Sequence, residues 1–220
     1  MLVPLTRQKF EQLIPSVATG GQYLYAWGKA RDFLRRALFS VIAVVIVWFP
    51  LNFLGDNLQL VVGLIAGLYW LWWPAVQASL QNQTCRRLPY SGLWQGYVLD
   101  VFISEELIGK EETVNRQGEL VVIQSRERRL NLEVGDDTGF STRLQVPLKR
   151  DHRVIRPDDT AQLLLMSNRP DLSRINKISD LYLPDHNLWV SDYPYLQRDV
   201  FEQMSRSLRL GDSEKRRGYK

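Results

Sequence analysis

Between residues 37 and 84 the chain carries no lysine, arginine or glutamate, and only one charge, Asp56. No other feature restricts what it can fold into as strongly. Two apolar runs fill this window. The first, 37–54 (ALFSVIAVVIVWFPLNFL), is 18 residues interrupted only by Ser40 and Asn52; the second, 60–76, is 17 residues without a charged or amide side chain. A helix needs about 20 such residues to cross the hydrocarbon core of a bilayer. The intervening LGDN, 54–57, is a turn sequence. Core helices of an ordinary domain keep a polar stripe, and neither run has one. The expectation is a transmembrane helical hairpin over residues 37–80.

The flanking charges set an orientation. Lys29, Arg31, Arg35 and Arg36 precede the first run, and Arg86 and Arg87 follow the second. The positive-inside rule then places both termini and the following domain on the cytoplasmic or stromal side of an integral membrane protein. The net charge of +4 hides this asymmetry, because residues 88–204 carry 14 basic and 19 acidic side chains. A nucleic-acid-binding domain would concentrate basic charge on its folded part, so no nucleic-acid partner is expected. Basic charge beside an apolar stretch suits membrane lipid instead. The single cysteine, Cys85, excludes an intrachain disulfide and a cysteine-based zinc cluster.

Residues 1–36 read as an amphipathic membrane-surface arm. Phe10, Leu13, Ile14 and Val17 have helical spacing behind a Thr6 N-cap, and Pro15 cuts the helix short. Tyr23, Tyr25, Trp27 and Phe33 interleave with the basic residues, as in a headgroup layer. From residue 88 the periodicity changes to about seven short β segments separated by turns such as NRQG and GDDTG, with HRVI, 152–155, among the strands. A small β-rich barrel or sandwich over 88–208 is the expectation. It closes with a C-terminal amphipathic helix, on which Leu196, Val200, Met204 and Leu208 recur every four residues. Residues 209–220 read as a basic, disordered tail. The fold class is thus an α+β membrane protein.

Catalytic signatures are absent: there is no P-loop, no G-x-G-x-x-G, no nucleophile elbow and no H-E-x-x-H. His152 and His186 lack metal-ligand spacing to each other or to Cys85. Glu105, Glu106, Glu111 and Glu112 are either paired carboxylates for acid–base chemistry or a solvated strand edge. No enzyme activity, metal or cofactor is expected, with pigment contact at Trp70, Trp72 and Trp73 left open. The candidate partner-binding residues are the G-x-x-x-G pair Gly63 and Gly67, the aromatic block Tyr69, Trp70, Trp72 and Trp73, the four glutamates, and Trp189, Tyr193 and Tyr195. The small glycines allow close helix approach, either within the hairpin or to another protein.

Three strings carry a resemblance: MLVPLTRQKFEQLIP, PYSGLWQGYVLDVFISEELIGKEETVNRQGELV and DHNLWVSDYPYLQRDVF. Over nearly its whole length the chain resembles a family of cyanobacterial proteins, with plastid relatives, often labelled "phosphate ABC transporter permease". A permease half has five or six spans and a coupling helix, whereas this chain offers two runs and a large polar domain. The resemblance implies a thylakoid location and an accessory or assembly role at a photosynthetic complex, photosystem II first. An accessory subunit of a phosphate-type transporter is the alternative, and a membrane-bound enzyme using the glutamates a third.

Overall fold

The computed structural model describes the backbone of residues 1–50, 55–114 and 120–217, with their side chains except those of 110–125 and 208–217. The chain forms two compact units, Met1–Arg7 with Pro89–Asp192 and Gln8–Leu88 with Tyr193–Lys220.

The first unit is one antiparallel sheet of seven strands. They are β1 (Leu2–Pro4), β2 (Tyr90–Val114), β3 (Leu120–Gly135), β4 (Ser141–Pro147), β5 (Thr160–Ser167), β6 (Ile175–Leu183) and β7 (Leu188–Val190). The order is β4-β3-β2-β5-β6-β7, with β1 also on β2. The expected barrel or sandwich is therefore corrected to a single sheet. Its length comes from β2, which pairs β5 through residues 90–97 and β3 from Tyr97 onward, with β1 paired at residues 92–94. HRVI is not a strand, since Arg150–Val154 is a 3-10 helix.

Alternation along the strands builds the core of this unit. Trp94 and Val98 on β2, Leu130, Leu132 and Val134 on β3, and Leu163 and Leu165 on β5 join one buried cluster reaching Val146 on β4 and Val190 on β7. A carboxylate sits at its margin. Asp136 accepts hydrogen bonds from the Trp94 indole at 2.7 Å and from the amide of Thr138 at 2.9 Å. Burial works against its ionisation. The Thr138 hydroxyl, the Trp94 indole and the amides of Thr138 and Phe140 outweigh that, holding the carboxyl below its ordinary value.

A depressed folded-state pKa contributes stability above the unfolded value, about 3.9 for aspartate, and that stability is lost as pH falls through the folded value. Asp136→Asn is therefore expected to lower stability at neutral pH by on the order of 1 kcal/mol. The gap to wild type should close as an acid series of denaturation curves passes below pH of about 4. A gap that stays constant through the series would rule this out.

The second unit is helical: α1 (Arg7–Leu13), α2 (Gly20–Trp27), α3 (Ala30–Trp48), α4 (Asp56–Gly67), α5 (Tyr69–Arg86) and α6 (Arg198–Arg217). Phe10, Leu13 and Ile14 are fully buried, as their spacing predicts. At its centre lies a polar pair. Gln22 and Asn82, both without exposed surface, exchange side-chain hydrogen bonds of 3.0 and 2.7 Å. Gln22 also donates to the carbonyls of Pro194 and Tyr195. Buried amides are tolerated when their bonds are made, and this pair ties α2 to α5.

The transmembrane hairpin, and with it an integral membrane location, is corrected. Among the described residues no single helix is long and apolar enough to cross a membrane. In α3 the first turns hold Arg31, Asp32, Arg35 and Arg36. The apolar remainder, 37–48, spans roughly 18 Å at 1.5 Å per residue, against a hydrocarbon core of about 30 Å. Residues 51–54 of the first run lie outside the described residues. The second run is broken in its middle: α4 ends at Gly67, α5 starts at Tyr69, and the two are bent by 66°. Only as that bent pair do they match a span, by length and composition alone.

Side chains hold the break in place. A continuous helix would bond the Ile65 carbonyl to the amide of Tyr69; here the Trp72 indole donates to it at 3.0 Å. The amide of Trp70 donates to the Ser40 hydroxyl at 3.1 Å. Gln59, on α4, donates to the carbonyls of Val47 and Trp48 and so satisfies the end of α3. The Trp72 and Trp70 bonds stand in for backbone bonds that a continuous helix would make.

Candidate functional site

The helical unit leaves an apolar surface uncovered. On α3, Leu34, Leu38, Val41, Ile42, Val45 and Ile46 are exposed at i, i+4, i+7, i+8, i+11, i+12, and Phe49 beyond the helix is 77% exposed. On α4, Leu60, Val61, Leu64 and Ile65 continue it at i, i+1, i+4, i+5. Val41 is 61% and Leu64 60% exposed. Monomeric proteins seldom present contiguous apolar patches beyond a few hundred Å². The inner sides of the two helices are packed together. A Cβ on Gly63 would come 3.2 Å from the Trp48 indole nitrogen, and one on Gly67 would come 3.5 Å from Val44. Both glycines of the G-x-x-x-G pair thus face α3.

The aromatic block divides in two. Trp70 packs edge-on against Trp27 and Phe33, with ring centroids at 5.9 and 5.5 Å. Tyr69, Trp72 and Trp73 form a separate cluster at 5.2 to 6.1 Å. The break at Leu68 resets the helical phase, so a single wheel drawn through Gly63 and Trp73 does not describe these residues.

Below that cluster lies a cleft of about 460 Å³, lined from α2 by Tyr25, from α3 by Asp32, Arg35, Arg36 and Phe39, and from α5 by Tyr69, Trp73, Gln77 and Gln81, with Tyr193. The α5 residues recur every four positions, one stripe of one helix. Gln77 and Gln81, which are not among the expected partner-binding residues, continue the spacing of Tyr69 and Trp73. Arg36 is buried and spent: it donates to the carbonyls of Asp32, Ala26 and Trp27. Arg35 lies 5.7 Å from the centre of the Phe39 ring, and among the described residues no carboxylate reaches it. The buried Oε1 of Gln81 has no hydrogen-bond donor among the described residues.

The remaining candidates are dispersed. Glu105 and Glu106 stand half-exposed on neighbouring positions of β2, so they point to opposite faces, and they meet Arg126 at 3.8 Å and Arg129 at 2.8 Å. The carboxylates of Glu105 and Glu106 thus stand apart, each beside its own arginine of β3. Glu111 and Glu112 pair with Ile123 and Val122 in the backbone register; their side chains lie outside the described residues. Trp189 belongs to the sheet unit and packs on Tyr182 at 4.7 Å. Tyr193 and Tyr195 belong to the helical unit and pack on each other at 4.6 Å. His152 is buried, its Nδ1 accepting from the Lys149 amide, and burial followed by Lys149 holds it below the ordinary histidine range. His186 pairs with Asp159 at 2.9 Å. Among the described residues no three His, Cys, Asp or Glu side chains are grouped to hold a metal.

No curated protein and no solved structure matches the chain. A family model does match, over residues 3–215, and the chain belongs to that family, which is described as a family of unknown function (DUF8619).

Proposed function

We propose that the chain is an interaction protein that works at a lipid surface. The helical unit lays the exposed apolar sides of α3 and α4 into the lipid without crossing it, and the sheet unit carries contacts to a membrane-bound protein complex. The exposed apolar surface on two packed helices is the observation that carries this reading. Burying it would stabilise association by about 25 cal/mol per Å². In the segment leading into α3, Lys29, Arg31 and Arg35 lie among Tyr23, Trp27 and Phe33, the composition of helices that rest on anionic lipid. For the protein contact, β2 and β3 pair only with each other from Glu106 onward among the described residues. Unpaired edges of this kind are templates for a partner chain, and Phe102, Ile103, Leu107 and Ile108 are exposed beside them. That the complex is photosynthetic rests on the sequence resemblance alone.

Flotation of the purified full chain with vesicles tests the lipid contact. The expected result is co-flotation with anionic vesicles that survives high salt, because apolar burial is not screened. Failure to float with any vesicle would overturn it. Gentle solubilisation and capture of a tagged chain tests the partner: photosystem subunits are expected, and transporter subunits would move the reading to the alternative role.

A further inference from the structure

We infer that a cavity in the sheet unit binds a phosphate monoester carried on an apolar body. The cavity measures about 480 Å³, the size of a small-molecule site. Its apolar wall comes from the two long strands. Ile103 on β2 stands opposite Leu130 on β3, so the two share a face of the sheet, and Leu148 and Ile155 line the same space. Ile103 is 49% exposed, so this wall is open to a ligand. The rest of the lining is basic: Arg128 from β3, with Lys149, Arg150 and Arg153 from the 3-10 helix and the residue before it, all of them exposed.

Charge singles this cavity out. Residues 88–204 carry 14 basic and 19 acidic side chains, yet four cations line the cavity and no acidic residue does. Among the described residues no carboxylate forms an ion pair with any of the four. Glu105, opposite Arg128 in the register, pairs with Arg126 at 3.8 Å instead. Guanidinium groups match the oxygens of phosphate or carboxylate. A phosphate monoester brings three acceptor oxygens and a charge of about −1.5 to −2 at neutral pH, whereas a carboxylate brings a single charge to the four cations. His152 adds a neutral donor. Its Nδ1 accepts from the Lys149 amide at 3.3 Å, so the proton of the neutral ring sits on Nε2. That nitrogen has no partner among the described residues and is not sealed off from solvent, and the ring lines the cavity. The inference uses the sheet unit alone and does not rest on the lipid-surface reading.

The test follows the imidazole signals of the full chain by NMR while octyl phosphate is added below its micelle concentration. The chain has two histidines, and His186, which does not line the cavity and pairs with Asp159, is the internal control. Only the His152 signals should move, and they should saturate. Reading them keeps binding at the exposed helical surface out of the measurement. Inorganic phosphate, which lacks the apolar body, should bind about tenfold more weakly. Nonanoate, with the same tail and a single charge, should also be about tenfold weaker. Arg150→Gln combined with Arg153→Gln should weaken octyl phosphate and inorganic phosphate alike, about tenfold. Ile103→Thr keeps a β-branched side chain in the strand and should weaken octyl phosphate alone. Dihexanoyl phosphatidate separates the sources of this chemistry: tighter binding than octyl phosphate assigns a membrane lipid, and weaker binding a soluble single-chain phosphate. Unmoved or unsaturable His152 signals, equal affinity for octyl phosphate and either inorganic phosphate or nonanoate, or full affinity in the double arginine variant would overturn the assignment.

Discussion

Val41→Glu combined with Leu64→Glu is expected to abolish co-flotation with vesicles while leaving the fold intact. Both side chains are among the most exposed on their helices, so neither supports the packing of α3 on α4. Exposed substitutions of this kind usually change stability by less than about 0.5 kcal/mol, and glutamate is the better helix former in place of valine. The melting curve should therefore barely move. In lipid the effect is opposite. Each substitution forfeits about 1.5–3 kcal/mol of apolar burial, which is on the order of 10- to 100-fold in binding, and adds a charge that must stay in water. The pair together should leave no measurable bound fraction. Unchanged flotation in the double variant would show that lipid does not cover this surface. A wild-type dimer that the variant turns into a monomer, with flotation unchanged, would assign the surface to a second copy of the chain.

The same residues show what the sequence made legible. Its charge gap, 37–84, holds most of the exposed apolar side chains of α3 and α4, and the spacing of Phe10, Leu13 and Ile14 locates a buried helix face. The turn at GDDTG and the strand-forming segments foretell a β-rich unit. What the apolar runs conceal is backbone continuity. Hydrophobicity reports what each side chain prefers but not which groups bond the peptide between them. The break at Leu68 depends on Ser40, 30 residues away along the chain from Trp70, and on the Trp72 indole turning back to Ile65. Neither partnership has a local signature. Gln22 and Asn82 are hidden for the same reason: each reads alone as a polar surface residue, and only their pairing across 60 positions makes them interior. The strand β1 is three residues long and gains its place solely from β2. Tyr69, Trp73, Gln77 and Gln81 are spaced as one helical stripe, so the side of α5 that lines the cleft is legible in the sequence.

Trp94→Ala should produce the largest loss of stability in the sheet unit, about 3–5 kcal/mol, out of a total that for most domains is only about 5–15 kcal/mol. Trp94 is 1% exposed and stands where β2 is flanked by β1 on one side and β5 on the other, opposite Leu2 and Leu163. Its ring meets Phe140 at 5.3 Å, and its indole nitrogen supplies one of the bonds that keep Asp136 ionised. Removal therefore opens a cavity and strips a buried carboxylate of a donor in one step. Gly96 shows how closely the ring is fitted, because a Cβ there would come within 2.3 Å of the indole and of the Gly135 carbonyl. Trp94→Phe keeps most of the volume and loses the hydrogen bond, so it should lose about 1–2 kcal/mol. Because the chain has two compact units, a single unfolding curve would mix their responses. Native-state hydrogen exchange at the amides of β2 and β5 reads the sheet directly. Accelerated exchange confined to the sheet unit, graded from Phe to Ala, is the expected pattern. A loss below about 1 kcal/mol in Trp94→Ala would mean that the sheet does not depend on this residue for its core.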